Sequence, residues 1–368
     1  MKNRINDRLA ELTRQNLMRE LRVSTRLGGG RSMIDGVGYY DFSTNDYLGL
    51  LNDPVESPCG SWQGASGSRL LSGTSPEVVQ LERDFSDWMG CGGTLLFNSG
   101  YHANVGVIPA IVGRGDCVVA DRAVHASIWD GIRVSGAQWK RYAHNDLDAL
   151  EVILKVRQSQ NGQTLVVTES VFSMDGDLAP LPELVGLCRR YGAGIFVDES
   201  HALGVFGPQG RGLVYHYGLQ NDVDIWVAGL GKAWAGVGAM VVGSESLIRL
   251  LLSSARSFIF STALPGGAVA WARSVLDRMP NLEPERSVLR HYWGALGGQS
   301  PIFPVVLGDI EAVTAASSML KSLGIWAPVI KPPTVPKGGC RIRLSLSSAL
   351  PQSAVSQVSE WVRGVANG

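Results

Sequence analysis

Residues 225–243 read IWVAGLGKAWAGVGAMVVG, and Lys232 is the only charged residue between Asp224 and Glu245. Scattered glycines and a central charge make this a poor membrane span, so we interpret it as two apolar strands joined by a loop that carries the lysine. Apolar surroundings favour a neutral amine and predict a lowered pKa for Lys232. Neutral lysine amines form imines with carbonyl compounds. On this stretch alone, a core segment whose lysine extends to solvent is the alternative.

The composition indicates a folded globular protein of 368 residues, 45% hydrophobic and 18% charged. Its 33 basic and 33 acidic residues cancel, so no electrostatic pattern favours nucleic acid or a membrane as partner. Five dispersed cysteines and an N-terminus without an apolar signal segment predict a cytoplasmic protein. No cluster of His, Cys and Asp has metal-ligand spacing, so we expect no metal.

Apolar runs alternate with helical patterns on the N-terminal side of this stretch, which predicts an α/β fold with a mostly parallel sheet. Helices are expected between several strands, for example at Leu147–Val156 and Leu181–Arg190. The seven predicted strands are Thr94–Phe97, Cys117–Ala120, Gln138–Tyr142, Leu165–Thr168, Gly194–Val197, Ile225–Ala228 and Ala239–Val242.

The chain is expected to divide into three parts. Residues 1–45 form an N-terminal helix and entry segment, in which apolar positions predict a surface helix over residues 4–22 packed on the body. Residues 46–267 form a large domain, and residues 268–368 form a smaller α/β domain. In the smaller domain, Arg343 suits bidentate carboxylate binding. Arg341 lies on the same face of this predicted strand, so one of the two arginines is a candidate for a charged side chain that only faces solvent.

Polar side chains follow several predicted strands, and ligands of parallel sheets bind beyond the carboxyl ends of strands. Asp198 could hold a protonated ring nitrogen or could be an ordinary acid at a helix start. His125 and His201 follow two strands and suit acid–base work or stacking, with a buried structural histidine as the alternative. Ser99 and Gly100 precede a helix whose N-terminus suits phosphate or is simply capped. Neither the P-loop nor the dinucleotide glycine pattern is present.

Several longer strings point to one family. They are STNDYLGL (43–50), GSRL (67–70), LFNSGY (96–101), AHND (143–146), VTESVFSMDGD (167–177) and FSTALP (260–265). Together they resemble enzymes of the aspartate aminotransferase fold (fold type I) that use pyridoxal 5′-phosphate (PLP), and more narrowly the α-oxoamine synthases. Within that family, KPPTVP (331–336) followed by RIRL (341–344) is similar to the 8-amino-7-oxononanoate synthases. The resemblance implies a large domain with a mostly parallel seven-stranded sheet and a smaller C-terminal α/β domain.

The resemblance also implies cofactor roles. Lys232 would hold PLP as an imine and move the Cα proton, and Asp198 would pair with the ring nitrogen. His125 would stack on the ring, while His201 and Ser173 would approach its phenolic oxygen. The remaining implied contacts are to phosphate: Ser99, Gly100 and Tyr101 in one subunit, with Ser261 and Thr262 reaching from the neighbouring subunit of a homodimer.

The implied reaction is the condensation of L-alanine with a pimeloyl thioester, on CoA or an acyl carrier protein, in biotin biosynthesis. Arg343 would bind the alanine carboxylate, and Asn45 and Arg19 would lie at the substrate end. Two alternatives stay open: a sister synthase that uses glycine or serine with another acyl-CoA, and a catalytically silent binding or regulatory protein.

Three positions depart from the family pattern. The family commonly has threonine three residues before the lysine, where its hydroxyl binds the cofactor phosphate, and this chain has Gly229. Two family histidines are replaced by Val78 and Leu350.

Overall fold

The computed structural model describes residues 1–53 and 64–366, so Cys59 lies outside the described residues. The backbone divides into two compact units. The first unit is Met1–Tyr47 with Met174–Gly176 and Val288–Gly368, and the second unit is Leu48–Ser173 with Asp177–Ser287. The three-part division expected from the sequence stays a prediction.

Fourteen strands are described: β1 Ser24–Gly28, β2 Arg31–Ile34, β3 Val37–Asp41, β4 Gly93–Phe97, β5 Cys117–Asp121, β6 Gln138–Tyr142, β7 Thr164–Glu169, β8 Gly194–Asp198, β9 Ile225–Gly229, β10 Ala239–Gly243, β11 Ile302–Gly308, β12 Ile325–Trp326, β13 Val329–Ile330 and β14 Cys340–Ser345. The described α-helices are α1 Lys2–Arg14, α2 Pro76–Met89, α3 Gly100–Ile111, α4 Ala126–Ser135, α5 Leu147–Gln158, α6 Leu181–Tyr191, α7 Leu213–His216, α8 Glu245–Ser254, α9 Arg256–Ile259, α10 Gly266–Arg278, α11 Glu283–Leu296, α12 Ile310–Ser322 and α13 Gln352–Ala366.

The second unit is built on a seven-stranded sheet in the order β4-β10-β9-β8-β7-β5-β6. Strand β10 is antiparallel to both its neighbours, and the other pairs are parallel. Six strands therefore run in one direction, and their carboxyl ends lie at one edge of the sheet. The prediction of a mostly parallel seven-stranded sheet is confirmed, with every strand within one residue of its expected bounds.

Burial explains why these strands could be read from apolar runs. Strands β5 and β9 are buried at every residue, as expected for a parallel sheet covered by helices. Helices α2 and α8 pack on β4, α3 on β9 and β10, α6 on β8, and α5 on β6. Strand β6 lies at the sheet edge and is exposed at four of its five residues, which suits its charged Lys140 and Arg141.

The first unit contains two smaller sheets. One has the order β1-β2-β3-β12 and the other β11-β14-β13. Strand β14 is the central strand of the second sheet and is buried at all six residues. Both of its arginines are buried, Arg341 at 7% and Arg343 at 5% exposure, so the expectation of a solvent-face arginine is wrong.

The N-terminal helix is shorter and more exposed than predicted. Helix α1 ends at Arg14 because Asn16 takes a left-handed φ of 52°. The Leu17 N–H then bonds to the Leu12 carbonyl at 2.9 Å, which closes the helix end. No residue of α1 is buried, and Ile5 is 52% exposed, so the predicted packing of this helix is also wrong.

No helix in residues 1–53 and 64–366 combines the length and the apolar composition that crossing a membrane needs. The cysteines Cys91, Cys117, Cys188 and Cys340 are free thiols.

Candidate active site

Four strands of the second unit deliver the expected cofactor residues to one edge of its sheet. His125 follows β5, Ser173 follows β7, His201 follows β8 and Lys232 follows β9. Strand β4 runs in the same direction and leads into Ser99 at the start of α3. The prediction that these strand ends meet is confirmed, because all five strands have their carboxyl ends at this edge.

Asp198 is the last residue of β8 and is 6% exposed. One carboxylate oxygen accepts the Ser200 N–H at 2.9 Å, and the other accepts the side-chain amide of Asn104 at 2.9 Å. Buried carboxylates need such partners to offset lost hydration. Because both donors are neutral, these two contacts orient the carboxylate without cancelling its charge.

Asn104 links Asp198 to His125. Its amide nitrogen also donates to the Ser127 hydroxyl at 2.9 Å, and that hydroxyl lies 2.8 Å from Nδ1 of His125. Asn104 is 1% exposed and Ser127 is fully buried, so both are positioning residues. Sequence reasoning gave neither a role, although Asn104 is a polar residue amid the apolar positions of α3.

His125 is exposed, and its ring lies in an edge-to-face arrangement with Tyr101, at 6.5 Å between ring centres. Burial lowers the pKa of His125, while the Asp198 carboxylate acts in the opposite direction. A neutral, accessible imidazole suits stacking on an aromatic ring. The Tyr101 hydroxyl contacts the Asp130 carboxylate.

Glu169, at the end of β7, holds two of the loops that carry site residues. Its carboxyl group accepts backbone N–H groups of His125 and Ser173. Burial raises the pKa of Glu169, and the nearby Asp198 raises it further. Glu169 is therefore a third positioning residue that the sequence analysis missed, and its only signal was an acid at the end of an apolar strand.

Glycines open a small space beside the lysine amine. A Cβ built on Gly229 would lie 3.7 Å from Nζ of Lys232 and 2.7 Å from the Ser200 hydroxyl oxygen. A Cβ built on Gly100 would lie 3.6 Å from the same oxygen. The space is thus bordered by an amine, a hydroxyl and the start of α3, where the first N–H groups lack partners within the helix. These residues fit a phosphorylated aldehyde cofactor.

Two of the expected phosphate contacts have structural partners in this chain. The Ser99 hydroxyl accepts the His102 N–H at 3.1 Å and caps α3. The Thr262 carbonyl accepts the Asn98 side-chain amide at 2.6 Å, next to Ser99 in sequence. Ser261 is half-buried and Thr262 is exposed. Their role toward a neighbouring subunit stays a prediction.

The expected substrate residues Arg343 and Asn45 contact each other in the first unit. Arg343 donates to the Asn45 amide oxygen at 3.2 Å and to the Ser345 hydroxyl at 2.6 Å. The Tyr47 hydroxyl also donates to the Asn45 oxygen, at 3.3 Å. Burial raises the pKa of Tyr47 to about 12, although Arg343 opposes the change. Neutral oxygens therefore orient the Arg343 guanidinium.

Arg341 has an acidic partner. Its guanidinium forms an ion pair with Asp175 and donates to the Gly339 carbonyl at 3.0 Å. A carboxylate already neutralises Arg341, which makes it a poor candidate for binding a substrate carboxylate.

Arg19 is exposed and donates to the Thr334 hydroxyl at 3.1 Å, in the proline-rich loop. Its placement at the substrate end stays a prediction. The two positions where the family has histidine are core positions here, since Val78 is 3% exposed and Leu350 is 2% exposed.

His144, from the AHND string, forms an ionic bridge between two acids. Its ring nitrogens lie 3.0 Å from Asp121 and 2.7 Å from Asp177. Burial lowers the pKa of His144, but the bonds to Asp121 and Asp177 outweigh it and raise the pKa to about 10.

This bridge predicts a pH-dependent stability. The folded pKa lies above the ordinary value of 6.5, so the stabilisation is complete below about pH 6.5 and is lost as the pH rises through the folded pKa. His144→Gln should lower the free energy of unfolding by about 1.5–3 kcal/mol in mild acid, the range for hydrogen bonds to charged groups, and by less near pH 9–10. Urea unfolding of both proteins at the two pH values tests this. An equal loss at both would contradict an ionised bridge.

No group of three His, Cys, Asp or Glu side chains among the described residues is placed to hold a metal.

The family model of class I and II aminotransferases matches residues 38–360. The 8-amino-7-oxononanoate synthase of Geobacter sulfurreducens is 40% identical over 367 residues, covering 94% of this chain and 93% of the relative.

Two solved structures agree with this match. A structure of SPT (serine palmitoyltransferase) with its PLP internal aldimine superposes with a TM-score of 0.89 at 28% identity, covering 99% of this chain and 98% of the other. The 8-amino-7-oxononanoate synthase of Francisella tularensis superposes with a TM-score of 0.75 at 27% identity, covering 89% and 97%. With its fold-type-I sheet and its lysine-bearing strand edge, this chain belongs to the class I and II aminotransferase family and, within it, to the 8-amino-7-oxononanoate synthases, which are PLP-dependent acyltransferases of biotin biosynthesis.

Proposed function

We propose that this chain condenses L-alanine with a pimeloyl thioester, yielding 8-amino-7-oxononanoate, CO2 and the free thiol, and that it acts as a homodimer. The thioester carrier is CoA or an acyl carrier protein. The observation that carries the proposal is the convergence of Lys232, Asp198 and His125 at one sheet edge, in a chain 40% identical to a relative of that name.

PLP, when bound, supplies an electron sink for the carbanion that forms at the amino-acid Cα. Lys232 would hold its carbonyl carbon and later move the Cα proton, since the amine borders the space left by Gly229. Asp198 would keep a proton on the ring nitrogen, because its carboxylate is buried and oriented by neutral donors. His125 would stack on the ring.

Arg343 would bind the alanine carboxylate. Its guanidinium is buried and is oriented by the oxygens of Asn45 and Ser345. A planar guanidinium held in this way is suited to two parallel hydrogen bonds with a carboxylate. Removal of the carboxylate as CO2 then makes the condensation irreversible in practice.

The runner-up is a sister synthase that uses glycine or serine. One methyl group in a pocket is worth only ~1–3 kcal/mol, so the amino acid must be decided by assay. The 40% identity to an 8-amino-7-oxononanoate synthase favours alanine over the likeness to SPT at 28% identity.

An exposed apolar surface supports the homodimer. The segment 67–73 pairs with the segment 260–263 through the Ser68–Thr262 bridge. Leu71 is 85% exposed and Phe260 is 71% exposed on these segments. Large exposed apolar side chains on two paired segments are typical of an interface, and a second copy would cover them symmetrically. Light scattering that gave a monomer would remove this part of the proposal.

We also propose a cytoplasmic location for this protein, which the four described free thiols support.

Product analysis tests the reaction. Purified protein loaded with PLP is mixed with pimeloyl-CoA, or with the pimeloyl carrier protein, and with alanine, glycine or serine in parallel. Mass spectrometry should detect 8-amino-7-oxononanoate with alanine and little product with the other two. Product from glycine or serine alone would support the runner-up, and no product from any pair would contradict both.

A further inference from the structure

The Ser200 hydroxyl lies in the site, although none of the cofactor contacts expected from the sequence involves this residue. In the pairing of β8 with β9, Asp198 lies opposite Val227. Two residues further along the chain from each, and beyond the end of β8, Ser200 lies beside Gly229. The Gly229 N–H donates to the Ser200 hydroxyl oxygen at 3.1 Å, and Ser200 is 5% exposed.

This hydroxyl occupies the space that a side chain at position 229 would need. A Cβ on Gly229 would approach the Ser200 oxygen to 2.7 Å and the Ser200 Cβ to 3.2 Å. Both distances are too short for ordinary contact. Gly229 is therefore the residue that makes room for Ser200, and a side chain at 229 would require the Ser200 hydroxyl to shift.

The hydroxyl also has a proton to donate. Among residues 1–53 and 64–366, it accepts the Gly229 N–H and donates to no acceptor. It lies between the start of α3 at Gly100 and the space next to the Lys232 amine. A buried hydroxyl donor at a helix start is well suited to a phosphate oxygen.

We propose that Ser200 is a cofactor-binding residue whose hydroxyl donates a hydrogen bond to the phosphate of PLP, in the place that Gly229 leaves without a side chain. This inference rests on the PLP-binding part of the proposed function and is independent of the amino acid and the acyl donor. The backbone of Ser200 orients Asp198, and its side chain holds the opposite, phosphate end of the cofactor.

The test compares PLP with pyridoxal, which has the same ring and aldehyde and lacks the phosphate. Ser200→Ala should raise the Kd of PLP about 10- to 100-fold, the loss expected for one hydrogen bond to a charged group. The Kd of pyridoxal should change by less than about 3-fold. Both are measured by absorbance titration of the apoprotein without substrates, so a wrong amino acid or acyl donor cannot affect the result.

Two further variants separate binding from folding. Ser359→Ala removes an equally buried hydroxyl that donates to the Ala295 carbonyl at 3.1 Å in the first unit, and it should leave the Kd of PLP unchanged. Ser200→Ala combined with Gly229→Thr returns a hydroxyl from the adjacent strand and should recover most of the PLP affinity. Gly229→Thr alone should lower the Tm of the apoprotein, because its side chain meets Ser200.

Equal losses of PLP and pyridoxal affinity in Ser200→Ala would overturn the proposal and leave Ser200 a structural residue. An unchanged Kd of PLP would also overturn it. If the wild type binds both compounds equally, the phosphate contact is refuted whatever product the enzyme makes.

Discussion

Replacing Lys232 with alanine should reduce kcat by at least ~10⁴-fold, because one side chain supplies both the covalent attachment of the cofactor and the proton transfer at Cα. The lysine follows β9, and its amine lies beside Gly229, 3.7 Å from the place of a Cβ on that residue. No other lysine is placed at this edge within the described residues of the second unit, since Lys140 and Lys155 lie on β6 and α5.

Borohydride reduction supplies a readout besides activity. In the wild type it should attach the cofactor to the peptide that contains Lys232, and peptide mass spectrometry should find no such product in Lys232→Ala. The matched control is Lys155→Ala, which removes an exposed lysine paired with Glu151 and should keep full activity. A Lys232→Ala variant that keeps turnover would refute the assigned role.

Replacing Asp198 with asparagine should lower kcat by ~10²–10³-fold, the usual effect of removing one preorganised charge or donor from an active site. The amide has nearly the same shape as the carboxylate but no charge to hold a proton on the ring nitrogen. One of its two buried contacts, with Asn104 or with the Ser200 N–H, is also lost. The Kd of PLP should change much less than kcat, because phosphate and lysine contacts stay.

Asp224→Asn is the matched control for this variant. Asp224 lies at the amino end of β9, where its carboxylate accepts the Ile195 N–H at 2.7 Å. It orients the same sheet at the end away from the site, so its loss should affect stability and leave kcat within a few-fold. If both variants lost kcat equally, Asp198 would act through folding alone.

The contacts of the positioning residues could not be predicted from the sequence. Glu169 holds the loops of His125 and Ser173, and Asn104 connects Asp198 with Ser127. These residues are far apart in sequence, and neither occupies a position whose residue type predicts its partners. Hydrogen bonds across 44 or 94 residues depend on strand order and helix placement, which local patterns do not contain.

The sequence by itself determined the buried strands of the seven-stranded sheet, because a strand covered on both faces must be a continuous apolar run. The exposed edge strand β6 is the exception. The sequence also determined the residues that follow those strands, including Lys232, Asp198 and His125. Tertiary structure alone decided that Arg341 is buried and paired with Asp175. It also decided that Ser200 occupies the space beside Gly229, because the register of two neighbouring strands sets which side chains share a volume.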